Sequence, residues 1–237
     1  MKTETFEYKD GATVLEGYAV FDDKGPKRPG ILVVPDWMGV SKFSNKRAEM
    51  LAELGYNAFV ADIYGKGVRP ATMEVCAAEA GKYQKDRPLM RQRAKAALAI
   101  LMKTPGTDTT KIGSVGYCFG GTTILELARD GANVQATCAF HANLNTPDAS
   151  HAKNIKGKVL ALHGADDPVV PDTEVLAFEK EMRAAKVDWQ LVAYGNAVHS
   201  FTNWNIPPDT KGPAAYNEKA DKRSWIAMQD FFRESFA

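Results

Sequence analysis

Cysteine is scarce in this chain: three residues in 237, an odd number without framework spacing. That excludes a disulfide scaffold and favours a reducing cytoplasm. Surplus charge is missing too, since 30 Lys and Arg stand against 29 Asp and Glu for a net +1. No bulk field therefore draws the protein to nucleic acid or to an anionic membrane surface. No apolar run approaches the length that crosses a bilayer, and the polar stretch Met1 to Asp10 does not read as a secretory signal. Only four histidines occur, with no H-E-x-x-H and no cysteine–histidine cluster at metal-ligand spacing. Neither a metal nor another cofactor is expected. Repeats, low-complexity tracts and linkers are absent.

What is present is an ordinary globular composition, 45% apolar and 25% charged, which predicts one α/β domain over residues 1–237. Strand-like pieces at Thr3 to Tyr8 and Thr13 to Phe21 flank the turn signal Asp10-Gly11. Ile31 to Val34 reads as a strand buried on both faces, followed by a helix from about Ser41 to Leu54 that Gly55 stops. The pattern then alternates. Strands are predicted at Ala58 to Ile63, Ile112 to Val115, Val134 to Phe140, Lys158 to His163 and Trp189 to Tyr194. Helices are predicted over Thr72 to Gly81, Leu89 to Lys103, Thr122 to Arg129, Pro171 to Ala185 and Ala214 to Arg233. Such alternation implies a mostly parallel central sheet flanked by helices, with ligands bound beyond the carboxyl ends of its strands. Cys76, on an amphipathic helix, and Cys138, in an apolar run, read as packing residues.

The third cysteine stands apart. Gly116-Tyr117-Cys118-Phe119-Gly120-Gly121 joins an apolar strand to a helical pattern, so G-x-C-x-G sits on a strand–turn–helix. This is the layout of a nucleophile elbow with sulfur in place of the usual serine oxygen. Glycines allow the sharp turn, and a helix N-terminus beside the sulfur favours a thiolate. The spacing matches neither the dinucleotide fingerprint nor a phosphate-cradling loop.

A cysteine nucleophile needs a histidine to handle its proton and an acid to orient that histidine, in the chain order nucleophile, acid, histidine for a hydrolase of this architecture. The strand-end turn His163-Gly164-Ala165-Asp166-Asp167-Pro168 supplies two carboxylates. Asp167, directly before Pro168, is the better candidate, with Asp166 as a rival or turn cap. His199 follows the next strand, in the loop Gly195-Asn196-Ala197-Val198-His199-Ser200-Phe201. His151 reads as solvated, His163 as a packed or turn-stabilising residue, and His141, at the end of a strand, as a candidate for pocket lining. Asp36 and Trp37 sit at the tip of another strand-end loop, Val33 to Val40, where a turn cap and a core aromatic are the plain alternatives.

With these residues in place, the chain resembles the dienelactone hydrolase family of α/β hydrolases from about Ile31 to its last helix. The resemblance rests on Pro35-Asp36-Trp37-Met38-Gly39, Arg47 to Tyr56, Ala61-Asp62-Ile63-Tyr64-Gly65, the cysteine elbow, His163 to Pro168 and His199-Ser200-Phe201. It implies an α/β-hydrolase fold, a Cys118–His199–Asp167 triad, and the Trp37 and Phe119 amides as oxyanion hole. In the family an acid, usually glutamate, stands at the Asp36 position and holds the resting thiol; aspartate is one methylene shorter, roughly 1.5 Å less reach. Family members acting on dienelactone hold its carboxylate with arginines, one of them at the position of Asn203. Asn203, Trp204, Trp37, Phe119 and Tyr64 thus imply an aromatic pocket for neutral activated esters or lactones, with phosphotriesters as a side activity of similar members. The expected partner is a small-molecule substrate, and the expected state a monomer or homodimer. A thiol redox sensor and a non-catalytic binding module are the alternatives. The first lacks an obvious resolving cysteine, and the complete nucleophile–acid–base order argues against the second.

Overall fold

Strands β1 (Lys2–Asp10) and β2 (Thr13–Phe21) form an antiparallel hairpin in register from Lys2↔Phe21 to Asp10↔Thr13. Its two-residue loop is Gly11-Ala12, and Gly11 has φ 57°, so glycine occupies the first loop position as a type II′ turn prefers. The computed structural model describes residues 1–237, which cluster into two compact units, Met1–Val115 and Gly116–Ala237.

In the first unit β3 (Arg28–Val34) pairs parallel with β4 (Asn57–Val60), and β4 pairs antiparallel with β2. Ile31 to Val34 are fully buried, as a strand covered on both faces requires. Between β3 and β4 runs α1 (Lys42–Glu53). Ser41 and Ser44 cap it reciprocally, side chain to backbone N–H in both directions, which satisfies two N-terminal donors. Next come α2 (Met73–Lys85) and α3 (Arg87–Lys103), hinged on Asp86. The structure corrects the expected end of α2 at Gly81. The glycine costs only about 1 kcal/mol against alanine, and burial of Ala80 and Tyr83 carries the helix four residues further. What stops it is Asp86, whose carboxylate caps the next helix at the Leu89 N–H. Strand β5 (Thr107–Tyr117) begins five residues earlier than its apolar run, because Thr107 to Lys111 is β-branched but polar and partly exposed.

The second unit opens on the last two residues of β5 and enters α4 (Phe119–Arg129) directly after Cys118, three residues before the expected start at Thr122. Strands β6 (Ala136–Phe140), β7 (Lys158–Gly164) and β8 (Trp189–Tyr194) pair in parallel, β6 with β7 and β7 with β8. A 3₁₀ turn, Ala149–Asn154, and α5 (Asp172–Ala185) lie between them in sequence. The last helix, α6 (Glu218–Ser235), starts four residues after the expected Ala214, capped by the Asn217 side chain at the Ala220 N–H. Pro213 to Ala215 is extended instead: the His199 N–H donates to the Pro213 carbonyl (3.1 Å) and the Ala215 N–H to the His199 carbonyl (3.2 Å). This bridge ties the loop of His199 to the segment before α6. Within the same unit Arg129 is fully buried and joins α4 to α5, meeting Glu126 at 3.1 Å, Glu181 at 2.8 Å and the Leu144 carbonyl at 2.8 Å.

Candidate active site

Cys118 sits on the turn between β5 and α4 with φ 53° and ψ −117°, a conformation that costs a side-chain-bearing residue about 1–3 kcal/mol. The surroundings impose it. A Cβ on Gly116 would lie 2.2 Å from the Gly120 carbonyl oxygen, and one on Gly121 2.6 Å from the Cβ of Ala142. The strand end and the helix start are thus in backbone contact, which only glycine permits. The Cys118 N–H donates to the Phe140 carbonyl (3.0 Å), pinning the turn to the end of β6.

The acid and the base come from two loops in contact. A Cβ on Gly164 would meet the Ala197 carbonyl oxygen at 2.5 Å. The Asp166 N–H donates to that carbonyl, and the Asp167 N–H to the Gly164 carbonyl. Asp166 itself is exposed. Asp167 is buried: one carboxylate oxygen accepts the Val169 N–H at 2.8 Å, and the other lies 2.8 Å from His199 Nδ1. His199 Nε2 then lies 3.0 Å from Cys118 Sγ. Burial opposes a charge on this ring. The negative sulfur, the hydrogen bonds to Asp167 and Cys118 and the Asp167 charge outweigh burial and raise the pKa from 6.5 to about 10.

The other candidates are placed as follows. His141, at φ 39°, is 1% exposed, with Nε2 2.8 Å from Thr202 Oγ1. Its ring packs edge-on against His199 (5.4 Å) and Phe201 (5.2 Å). Phe119 is buried as the first residue of α4. Asn203 is buried with its side-chain oxygen accepting the Asn205 N–H, and Trp204 is exposed. In the first unit, Asp36 accepts the Met38 N–H at 2.9 Å, and the Tyr64 hydroxyl donates to the Trp37 carbonyl at 3.0 Å. His151 is half-exposed beside Asp148. His163 is buried, and burial pushes its pKa below 6.5 against the charges of Asp167 and Asp172, so it is neutral at pH 7. Cys76 and Cys138 are buried thiols whose pKa values burial raises. No group of three or more His, Cys, Asp or Glu is arranged to hold a metal ion. Sequence reasoning missed the His141–Thr202 contact and the Pro213–Ala215 bridge. Both are long-range pairings without a local signal.

The model of the dienelactone hydrolase family matches residues 15–236. A dienelactone hydrolase-like promiscuous phosphotriesterase from metagenomic libraries is 40% identical, with a TM-score of 0.94 over 100% of this chain and 99% of the other. A putative carboxymethylenebutenolidase of Methylorubrum extorquens is 26% identical over 93% of this chain and 77% of its own length. The carboxymethylenebutenolidase of Rhodococcus opacus is 26% identical over 85% of this chain and 79% of its own length. The fold is that of the α/β hydrolases, a mostly parallel sheet flanked by helices, and no helix is long and apolar enough to cross a membrane. The chain belongs to the dienelactone hydrolase family.

Proposed function

We propose that this hydrolase cleaves activated, uncharged esters or lactones through a thioacyl-enzyme on Cys118. One observation carries the reading: the single imidazole of His199 bridges Cys118 Sγ at 3.0 Å and Asp167 at 2.8 Å, on an elbow whose sulfur-bearing residue is held at positive φ. Attack forms the S–C bond and moves the carbonyl π pair onto oxygen, where the Phe119 amide, next to the nucleophile, receives it. Collapse breaks the C–O bond, and the leaving alkoxide takes the Nε2 proton of His199. Acylation removes the sulfur charge, and with it the largest influence that holds His199 protonated. The neutral imidazole then takes a proton from water as the water oxygen attacks the thioester, and the thiolate departs.

Asn203 and the aromatic side chains of Trp37, Tyr64, Phe119 and Trp204 support an uncharged substrate. The 40% identical phosphotriesterase supports a side activity on aryl dialkyl phosphates, whose electrophilic phosphorus suits the same thiolate. Three free cysteines support a cytoplasmic setting. The test compares wild type with Cys118→Ala on p-nitrophenyl acetate and on an aryl dialkyl phosphate. The alanine variant is expected to lose at least about 10³-fold in kcat on the ester; turnover equal to wild type refutes the covalent route.

A further inference from the structure

We propose that His141 is a positioning residue for acyl transfer: it links the elbow that carries Cys118 to the loop that carries His199, and so sets the separation of sulfur and imidazole. The proposal rests on the thioacyl reading above and adds to it the part that holds nucleophile and base at working distance.

The link begins at one peptide. In a planar trans peptide the C=O and the N–H point in opposite directions. The peptide joining Phe140 to His141 uses both. Its carbonyl accepts the Cys118 N–H at 3.0 Å, and its N–H donates to the Leu162 carbonyl at 2.8 Å. It is therefore fixed between the elbow and β7. Ala142 follows in contact with α4, since a Cβ on Gly121 would come within 2.6 Å of the Ala142 Cβ. His141 itself turns at φ 39°, in a region that histidine enters more readily than most side chains.

The side chain completes the link. Its Nε2 lies 2.8 Å from Oγ1 of Thr202, a fully buried residue three positions after His199. Neighbouring Phe201 packs its ring edge-on against His141 at 5.2 Å, and its carbonyl accepts the Asn217 N–H at 3.0 Å. The loop of His199 is thus held to the end of β6 by a hydrogen bond and a ring contact. His199 is bonded at both nitrogens, to Asp167 at 2.8 Å and to Cys118 at 3.0 Å. The softest motion left to the ring is rotation about the line joining those nitrogens. The His141 ring stands across that motion, with centroids 5.4 Å apart and planes at 67°, as edge-to-face pairs prefer. With 1% of its surface exposed, His141 presents almost nothing to a substrate. A residue that touches the base but not the substrate acts on kcat rather than KM, because misplaced reacting groups slow chemistry without weakening binding.

The experiment measures kcat, KM and Tm on p-nitrophenyl acetate, and the NMR titration of the His199 ring. The proteins are wild type, Thr202→Val, Thr202→Ser, His141→Asn and Cys118→Ala. Thr202→Val keeps the side-chain shape but loses the hydroxyl, and should lower kcat about tenfold with KM within about twofold. His141→Asn tolerates the positive φ but removes the ring, and should lose about tenfold or more in kcat. Thr202→Ser keeps the hydroxyl and should stay within about threefold of wild type. In both impaired variants the His199 midpoint should fall, since a loosened ring loses part of its interaction with Cys118 and Asp167. A merely structural role lowers Tm and leaves that midpoint in place. A wild-type kcat in folded Thr202→Val or His141→Asn, or a raised KM at unchanged kcat, overturns the proposal. So does Thr202→Ser as impaired as Thr202→Val, or a midpoint that does not move. Should His141→Asn fail to fold, the Thr202 pair carries the test alone. Failure of the underlying reading shows separately, as turnover retained in Cys118→Ala.

Discussion

Cys118, His199 and Asp167 form a short electrostatic chain in which each group sets the state of the next. The strained φ of 53° at Cys118 fixes the sulfur 3.0 Å from an imidazole whose far nitrogen is held by a buried carboxylate. The folded pKa of His199 is raised, so its stabilising contribution is complete below pH 6.5 and is lost as pH rises through about 10. An NMR titration of the His199 ring should therefore show a midpoint near 10 in wild type. In Cys118→Ala the midpoint should fall, since the sulfur charge and its hydrogen bond are gone while burial remains. A midpoint that does not move contradicts the ion pair. The proposed preference for an uncharged substrate is tested at the same scale, at Asn203. Asn203→Arg should raise kcat/KM on a carboxylated lactone relative to a neutral ester by roughly tenfold or more, the value of one charge-assisted hydrogen bond. An unchanged ratio shows that this position does not face the substrate.

At the scale of elements, the strand–turn–helix of the elbow depends on backbone contact that no other residue allows. Gly116→Ala places a Cβ 2.2 Å from the Gly120 carbonyl oxygen. Relieving that overlap moves the end of β5 away from the start of α4, so thermal denaturation should show a loss of several kcal/mol and kcat should fall in the fraction that folds. The buried Arg129 network makes a second prediction. Glu181→Ala removes one of the two buried carboxylates paired with the Arg129 guanidinium, the one at 2.8 Å, and should cost about 3 kcal/mol in chemical denaturation. Most elements were legible because their apolar period is local, as in the buried run Ile31 to Val34 and the amphipathic α1. Those that shifted depend on something distant or polar. The threonine-rich start of β5 carries no apolar signal, and Pro213 to Ala215 is extended because it pairs with His199 rather than joining α6. For the site, Cys118, Asp167 and His199 announced themselves by residue type, chain order and position at strand ends. The contact of His141 with Thr202 links residues 61 apart and has no such mark.

For the whole molecule, membership of the dienelactone hydrolase family implies hydrolysis of a small-molecule substrate. The account predicts that ester and phosphotriester turnover share one nucleophile, so a thiol alkylating agent should abolish both at the same stoichiometry. Residual phosphotriester cleavage after complete ester inactivation would place that activity elsewhere. The most direct test of the central claim is intact-mass measurement after rapid acid quench of the protein mixed with excess p-nitrophenyl acetate, followed by peptide mapping. A covalent acyl route predicts a gain of one acetyl group on Cys118 in wild type and none at that position in Cys118→Ala. Wild-type turnover with no adduct on Cys118, or an unmodified cysteine in a fully active enzyme, would contradict it.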